Sequence, residues 1–277
     1  DPDLLALPVV PLTVSMEILA EAAAYLAPGL VLTGMRDVRA YRWILVEDGA
    51  IDLQVIARRT AAADATEFFV VLREADGPVA PNGTPILEGT MIFAPAYAPA
   101  PLATPWTLRE ARPSRWQATD TYERGMFHGP AFRAVSAVRT CSEEGAIAEL
   151  VGLPVKGLLR SCPEPTFVAE PIILDAAGQV VGLWALEQLP SEFVVFPYRL
   201  QALECYGPAL RASARARCQV RSTLHDGGLI TSTIEVVDQE GRIRLRLRGW
   251  EDKRFGLTHR FHDFLLSSAR TPLSEPW

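Results

Sequence analysis

Apolar residues along the chain recur first with helical and then with strand-like spacing. Residues 14–26 (VSMEILAEAAAYL) place Val14, Ile18, Ala22 and Tyr25 on one face, follow Pro11-Leu12-Thr13 and stop at Pro28-Gly29. This predicts a helix with a Thr or Ser cap and a Gly/Pro terminator. Ala20, Ala22, Ala23 and Ala24 leave it little bulk, so surrounding structure can approach closely. Short β-branched or alternating runs follow at 30–46, 51–59, 67–73 and 86–93, separated by Asp48-Gly49, an Ala/Asp stretch and Asp76-Gly77-Pro78. These predict strands with turn punctuation. Residues 95–115 carry Pro95, Pro99, Pro101, Pro105 and Pro113 among alanines and read as a linker. Strand-like text resumes at 131–140 and 146–151, a helix is predicted at 173–189, and strands return at 193–206, 210–221, 229–237 and 242–250. Each half therefore holds one apolar helix and enough strand to wrap it, an expected division into 1–94, the linker 95–115, and 116–277. In the second half, residues 116–151 precede the helix, whereas the first half reaches its helix almost at once. If the halves are repeats, the first lacks its opening strands.

Composition narrows the class. The chain has 277 residues, 49% hydrophobic and 22% charged, enough to bury a sizeable core, so disorder is excluded as its main state. No stretch approaches the roughly 18–20 apolar residues that span a bilayer, and no basic start leads into a signal-like segment. A soluble, cytoplasmic protein is expected, with no membrane partner. Cys141, Cys162, Cys205 and Cys218 show no CxxC spacing, which argues for reduced thiols rather than a disulfide framework or zinc site. Twenty-seven basic against thirty-three acidic residues, a net charge of -6, argue against a nucleic-acid partner. The chain opens at Asp1 without methionine and reads as a piece of something longer.

Four short patterns carry candidate chemistry. In residues 125–132 (GMFHGPAF), Gly129-Pro130 fixes a tight turn between apolar residues and places His128 beside it. Taken alone, this is equally a well-formed turn with an exposed histidine. Asp175 and Gln179 lie four apart on the predicted second helix, hence on one face, among Ile172, Ile173, Leu174, Val180 and Val181. In an apolar pocket the carboxyl would tend to stay protonated, as a general acid must, although the helix N-terminus pulls the other way. The alternative is an Asp175 that supports the helix start and faces solvent. Pro197, in Phe196-Pro197-Tyr198-Arg199-Leu200, implies a strand edge or bulge rather than a central strand. Leu7-Pro8-Val9-Val10-Pro11 reads as a helix entry.

Taken in order, these patterns resemble the dehydratase domains of polyketide synthases, whose motifs are HxxxGxxxxP, GYxYGPxF, DxxxQ (or H) and LPFxW. Residues 125–132 match the second, with Met126 and His128 in place of its tyrosines. Asp175 to Gln179 matches the third unchanged, and Phe196 to Leu200 matches the fourth loosely, keeping Pro197 and an aromatic at Tyr198. The resemblance covers essentially the whole chain. The text of residues 7–23 and Asp37 to Trp43 (DVRAYRW) looks most like iterative synthases that build enediyne or polyunsaturated chains. The resemblance implies an α+β double hotdog: two antiparallel sheets, each wrapped around one long apolar helix, with the active site between the units. It implies dehydration of a β-hydroxyacyl thioester held on the phosphopantetheine arm of an acyl carrier protein, without metal or organic cofactor. A histidine of the first unit would take the α-proton. Asp175 would protonate the leaving hydroxyl and Gln179 would orient it. His128, Gly129, Pro130, Phe132, Pro197, Tyr198 and Pro11 would contact substrate. Other domains of the parent synthase are implied partners, and a homodimer is implied because such synthases are dimeric.

The first motif departs from the pattern. With Pro11 as its proline, its glycine falls on Ala6 and its histidine on Pro2, and no histidine precedes the first helix; the four are His128, His225, His259 and His262. The expected base is then a histidine upstream of Asp1. Loss of activity, or His128 serving as base, are the alternatives. Two other functions stay open: a catalytically silent scaffold or chain-binding domain, and a related double hotdog that steers cyclisation of a poly-keto chain. Finally, Arg242, Arg244, Arg246 and Arg248 alternate with Ile243, Leu245 and Leu247. They present one charged strand face, readable as a dock for an acidic carrier or as a solvated face that blocks edge pairing.

Overall fold

The structure, a computed structural model, describes residues 9–46, 50–61, 66–75, 85–117, 120–189 and 193–256. The turn readings at Asp48-Gly49 and Asp76-Gly77-Pro78, the start of the first motif, and His259 and His262 lie outside the described residues. In chain order the elements are β1 (Val9–Val10), α1 (Leu12–Tyr25), β2 (Val31–Ala40), β3 (Ile44–Leu45), β4 (Leu53–Arg59), β5 (Thr66–Glu74), β6 (Leu87–Ala94), β7 (Arg112–Pro113), β8 (Val135–Ser142), β9 (Gly145–Val151), α2 (Pro171–Gln188), β10 (Phe193–Cys205), β11 (Arg215–Leu224), β12 (Leu229–Val237) and β13 (Ile243–Gly256). A small β1-β3 pair stands beside an 11-stranded sheet of order β4-β5-β6-β2-β10-β13-β12-β11-β9-β8-β7, antiparallel throughout.

The two expected sheets are one continuous sheet. β2 of the first half pairs with β10 of the second, from Arg39↔Arg199 to Gly34↔Glu204. At the end of that seam a Cβ on Gly34 would sit 2.5 Å from the carbonyl oxygen of Leu203, so the close approach of the strands requires glycine there. α1 packs on β2, β4, β5 and β6, α2 packs on β8 to β12, and the helices pack on each other.

Three local expectations change. The buried side of α1 carries Met16, Leu19, Ala20 and Ala23, while Val14, Ile18 and Ala22 are half-buried and Tyr25 is 87% exposed. A helix so rich in alanine has little contrast between faces, and its orientation is set by the sheet and α2. Its N-cap is Pro11, with no side-chain cap bond. Thr13 and Ser15 are spent elsewhere: Thr13 Oγ1 donates to Asp175 Oδ1, and Ser15 Oγ donates to the Pro11 carbonyl. Arg244, Arg246 and Arg248 lie on β13, an interior strand between β10 and β12, with Arg242 just ahead of it, so the row blocks no edge. Arg246 is held by Glu204 and Glu235, Arg248 by Glu204, and Arg244 and Arg242 donate to the carbonyls of Pro208 and Ala100.

The turn after α1 and the break at Pro197 fall where the sequence places them. Gly29 turns the chain after α1 with φ +78, which favours glycine. β10 breaks register between Pro197 and Arg199, and β2 joins it only from Arg199 onward, so the proline needs no N–H on that side. The proline-rich stretch lies on the second half's sheet. Ala103 N–H donates to Gly241 O, Ile243 N–H to Pro101 O, and Gln219 bridges the Trp106 N–H and the Thr104 carbonyl. No described helix is long and apolar enough to cross a membrane.

Glu17 ties the halves from within. It is 3% exposed on α1, and its two oxygens accept the backbone N–H groups of Val168 and Ala169, each at 2.6 Å, just ahead of α2. Burial raises its pKa from 4.5 to about 7, against the pull of those two donors. Between these values the folded chain keeps a proton that the unfolded chain has lost, so Glu17 contributes a stability that falls as pH rises from about 4.5 to about 7. Urea unfolding of Glu17→Gln across this window should show a flatter decline than the wild type. An unchanged slope would contradict the assignment.

Candidate active site

α2 enters from Glu170, whose left-handed backbone (φ 58) precedes the helix-starting Pro171. Glu170 holds the turn by accepting the Leu210 N–H. One turn further in, Asp175 emerges between the helices, its side chain 12% exposed. Three groups surround its carboxyl. Thr13 of α1 reaches Oδ1 at 3.4 Å, Gln179 Nε2 donates to Oδ2 at 2.7 Å, and His128 Nε2 lies 3.3 Å from Oδ2.

Gln179 has no freedom left. Its amide also donates to the Phe132 carbonyl at 2.8 Å, and its oxygen accepts from Tyr122 O–H at 2.8 Å. Tyr122 in turn accepts the Val135 N–H. This chain, Val135 to Tyr122 to Gln179 to Asp175, fixes the acid in place with every member satisfied, the condition under which a buried polar network is rigid. The His128 turn is held separately, Arg133 Nε donating to the His128 carbonyl and Phe132 N–H to the Gly129 carbonyl.

Burial pushes the Asp175 carboxyl up, opposed by the charge of His128 and by hydrogen bonds from Gln179 and Thr13. Burial pushes the His128 imidazole down, opposed by Asp175. Desolvation thus drives both toward neutral forms, a protonated acid facing an unprotonated imidazole. That is the pairing that proton abstraction and hydroxyl protonation need.

A cavity of about 350 Å³ opens onto this pair. Its wall along α2 is Asp175, Gly178, Gln179, Gly182 and Leu186, so the groove follows one helical face. Two glycines keep it open: a Cβ at Gly178 would meet Trp250 at 2.8 Å, and one at Gly182 would meet Met126 at 2.7 Å. Phe193 to Pro197 of β10 and Val9 to Leu12 face it. Trp43, Phe127, Phe196 and Phe255 gather in one aromatic cluster, Trp43 and Phe196 with ring centroids 4.6 Å apart, and Phe127 stacks on His128.

Asp175, Gln179, His128, Gly129, Phe132, Pro197 and Pro11 therefore meet at one cavity. Pro130 and Tyr198 do not line it. Pro130 is exposed in a short 3-10 turn, and the Tyr198 hydroxyl is drawn to Glu251 at 2.7 Å. The alternative of a solvent-facing Asp175 fails. Sequence reasoning missed Thr13, Tyr122 and Asp252. Thr13 stands where a cap is expected, Tyr122 acts through long-range contacts to Gln179 and Val135, and nothing local marks Asp252 as facing the cavity.

An antiparallel sheet carrying two helices that pack on each other is the arrangement of a double hotdog. Residues 98–260 match the family model described as polyketide synthase dehydratase N-terminal domain, and the chain belongs to that family. Over 187 residues the chain is 26% identical to one subunit of the polyunsaturated fatty acid synthase of Thraustochytrium sp., a match that covers 65% of this chain and 6% of that protein. The chain thus spans a small part of that relative's length. Among solved structures, a trans-AT polyketide synthase dehydratase domain from Brevibacillus brevis superposes with TM-score 0.66 at 18% identity, over 90% of this chain and 86% of that one. An inactive mutant of the CurJ dehydratase gives 0.65 at 16%, over 93% and 85%. At these identities the likeness is one of fold.

Gln179→Leu keeps side-chain size but leaves the Tyr122 hydroxyl, the Phe132 carbonyl and Asp175 short of partners. We expect a loss of about 1–3 kcal/mol for each buried group orphaned, read by urea unfolding. A neutral result would contradict the network.

Proposed function

We propose that this domain eliminates water from a β-hydroxyacyl thioester, delivered on the phosphopantetheine arm of a carrier protein, to give the enoyl thioester during chain assembly by a larger synthase. The observation that carries the reading is the 3.3 Å approach of His128 Nε2 to Asp175 Oδ2 at the wall of an apolar cavity. The α-hydrogen and the β-hydroxyl sit on neighbouring carbons, and on one face of the chain they are about as far apart as two groups in van der Waals contact. A base and an acid at contact distance suit that geometry.

In this reading His128 Nε2 takes the α-proton as the double bond forms, and the Asp175 proton passes to the departing oxygen, which leaves as water. The pair is left as imidazolium and carboxylate. One proton transfer from Nε2 to Oδ2 restores both. Thr13 and Gln179 keep the carboxyl aimed throughout, and Phe127 stacked on the imidazole restrains the ring. The expected histidine ahead of Asp1 falls outside the described residues. Among those residues, the imidazole in the cavity is that of His128.

Asp175→Asn and His128→Phe should each lower the rate of enoyl thioester formation by about 10²-fold or more while leaving the thermal midpoint within a few degrees. Ultraviolet absorbance of the conjugated product reports the reaction. Undiminished turnover in Asp175→Asn would overturn the acid; undiminished turnover in His128→Phe would overturn the base. Turnover of a poly-keto thioester instead of the hydroxyacyl one would replace the reaction.

A further inference from the structure

A second polar locus opens into the same cavity, and the elimination does not use it. Trp250 and Asp252 are 1% and 2% exposed, two residues apart on β13, so both side chains leave the inner face of the sheet. Both line the cavity. Their surroundings are apolar: Asp252 is flanked across the sheet by Pro197 and Ile230, and Val194 and Val195 share the wall. Trp250 Nε1 and Asp252 Oδ2 have no hydrogen-bond partner among the described residues. The indole lies near enough to moderate the acid's pKa, without a hydrogen bond of ordinary geometry. Buried polar atoms are almost always satisfied, because water lost without replacement is costly. Two neighbouring orphans on an apolar wall point to a partner carried in by the ligand.

The chemistry of the pair narrows that partner. The indole is a donor. Burial raises the Asp252 pKa to about 8, so near neutrality it is largely an uncharged acid that donates or accepts. The indole N–H opposes a cation, whereas a hydroxyl can both accept from Trp250 and bond to Asp252. Trp250 packs against Gly178, three residues along α2 from Asp175. The locus is therefore roughly one helical turn, about 5 Å, along the groove from the reacting centre.

We propose that Trp250 and Asp252 form a subsite for a hydroxyl on the acyl chain beyond the reacting carbons, so that the cavity prefers partly reduced, oxygen-bearing chains to plain hydrocarbon ones. This rests on the reading of the cavity as an acyl-chain site. A chain built from two-carbon units keeps its oxygens on alternate carbons, which places the δ- and ζ-hydroxyls within reach of the pair.

Equilibrium binding tests it without turnover. The probes are β-hydroxyacyl pantetheine amides of equal length, plain or with an added δ- or ζ-hydroxyl, titrated into the whole chain and into Asp252→Leu and Trp250→Phe. The wild type should bind at least one hydroxylated probe about tenfold tighter than the plain one. Both variants should bring the hydroxylated and plain probes to equal affinity. Asp252→Leu should melt no lower than the wild type, since it removes a buried group without a partner; a lower midpoint would mark Asp252 as structural and overturn the subsite. Trp250→Phe keeps the ring against Gly178 and carries the test if the leucine variant does not fold. Binding without preference, or equal losses on both probes, would overturn the subsite alone. Binding of neither probe would overturn the acyl-chain reading with it.

Discussion

The pairing of β2 with β10 is the constraint on which the site depends. It makes one sheet of two, and a sheet that continues across the seam leaves α1 and α2 no place but side by side. Gly34 allows the approach, Glu17 locks it by bonding the chain ahead of α2, and Thr13 then reaches Asp175 across 162 residues of sequence. Without the seam the acid would lose its donor from α1 and the wall that buries it. The site's chemistry is thus a property of the interface between halves rather than of either alone.

That dependence explains what the sequence showed and what it concealed. The strands were legible because alternation and turn residues are local: the runs at 67–73 and 86–93 became β5 and β6 with ends moved by a residue or so. Asp175 and Gln179 were legible because i, i+4 spacing on a helix is local too. The buried side of α1 was not, since its alanines gave no contrast. Whether the arginine row stands at an edge was not legible, because strand order is set by pairing between distant segments. Thr13 stands where a helix cap is expected, and nothing local singles out Tyr122 or Asp252. Thr13 and Tyr122 gain their meaning from residues more than a dozen positions away.

Asp175 and His128 stand together at one end of the groove. At one end of α2 the chain from Tyr122 through Gln179 to Asp175 is satisfied and rigid. Further along, Gly178 and Gly182 give up side chains to make room, and the wall of β10 and β13 supplies the apolar surface an acyl chain would bury. The departure of His128 from the tyrosine of the family motif is then not a loss of a polar contact. It introduces a titratable group at contact distance from the acid.

Whether these two residues act as one unit is open to direct measurement. The rates of enoyl thioester formation by the wild type, Asp175→Asn, His128→Phe and the double variant form a cycle. If the pair is the acid–base unit of the site, either single substitution brings the rate to the level of the double, and the second change costs nothing more. If the two losses multiply, or if the histidine variant turns over like the wild type, the central claim is wrong.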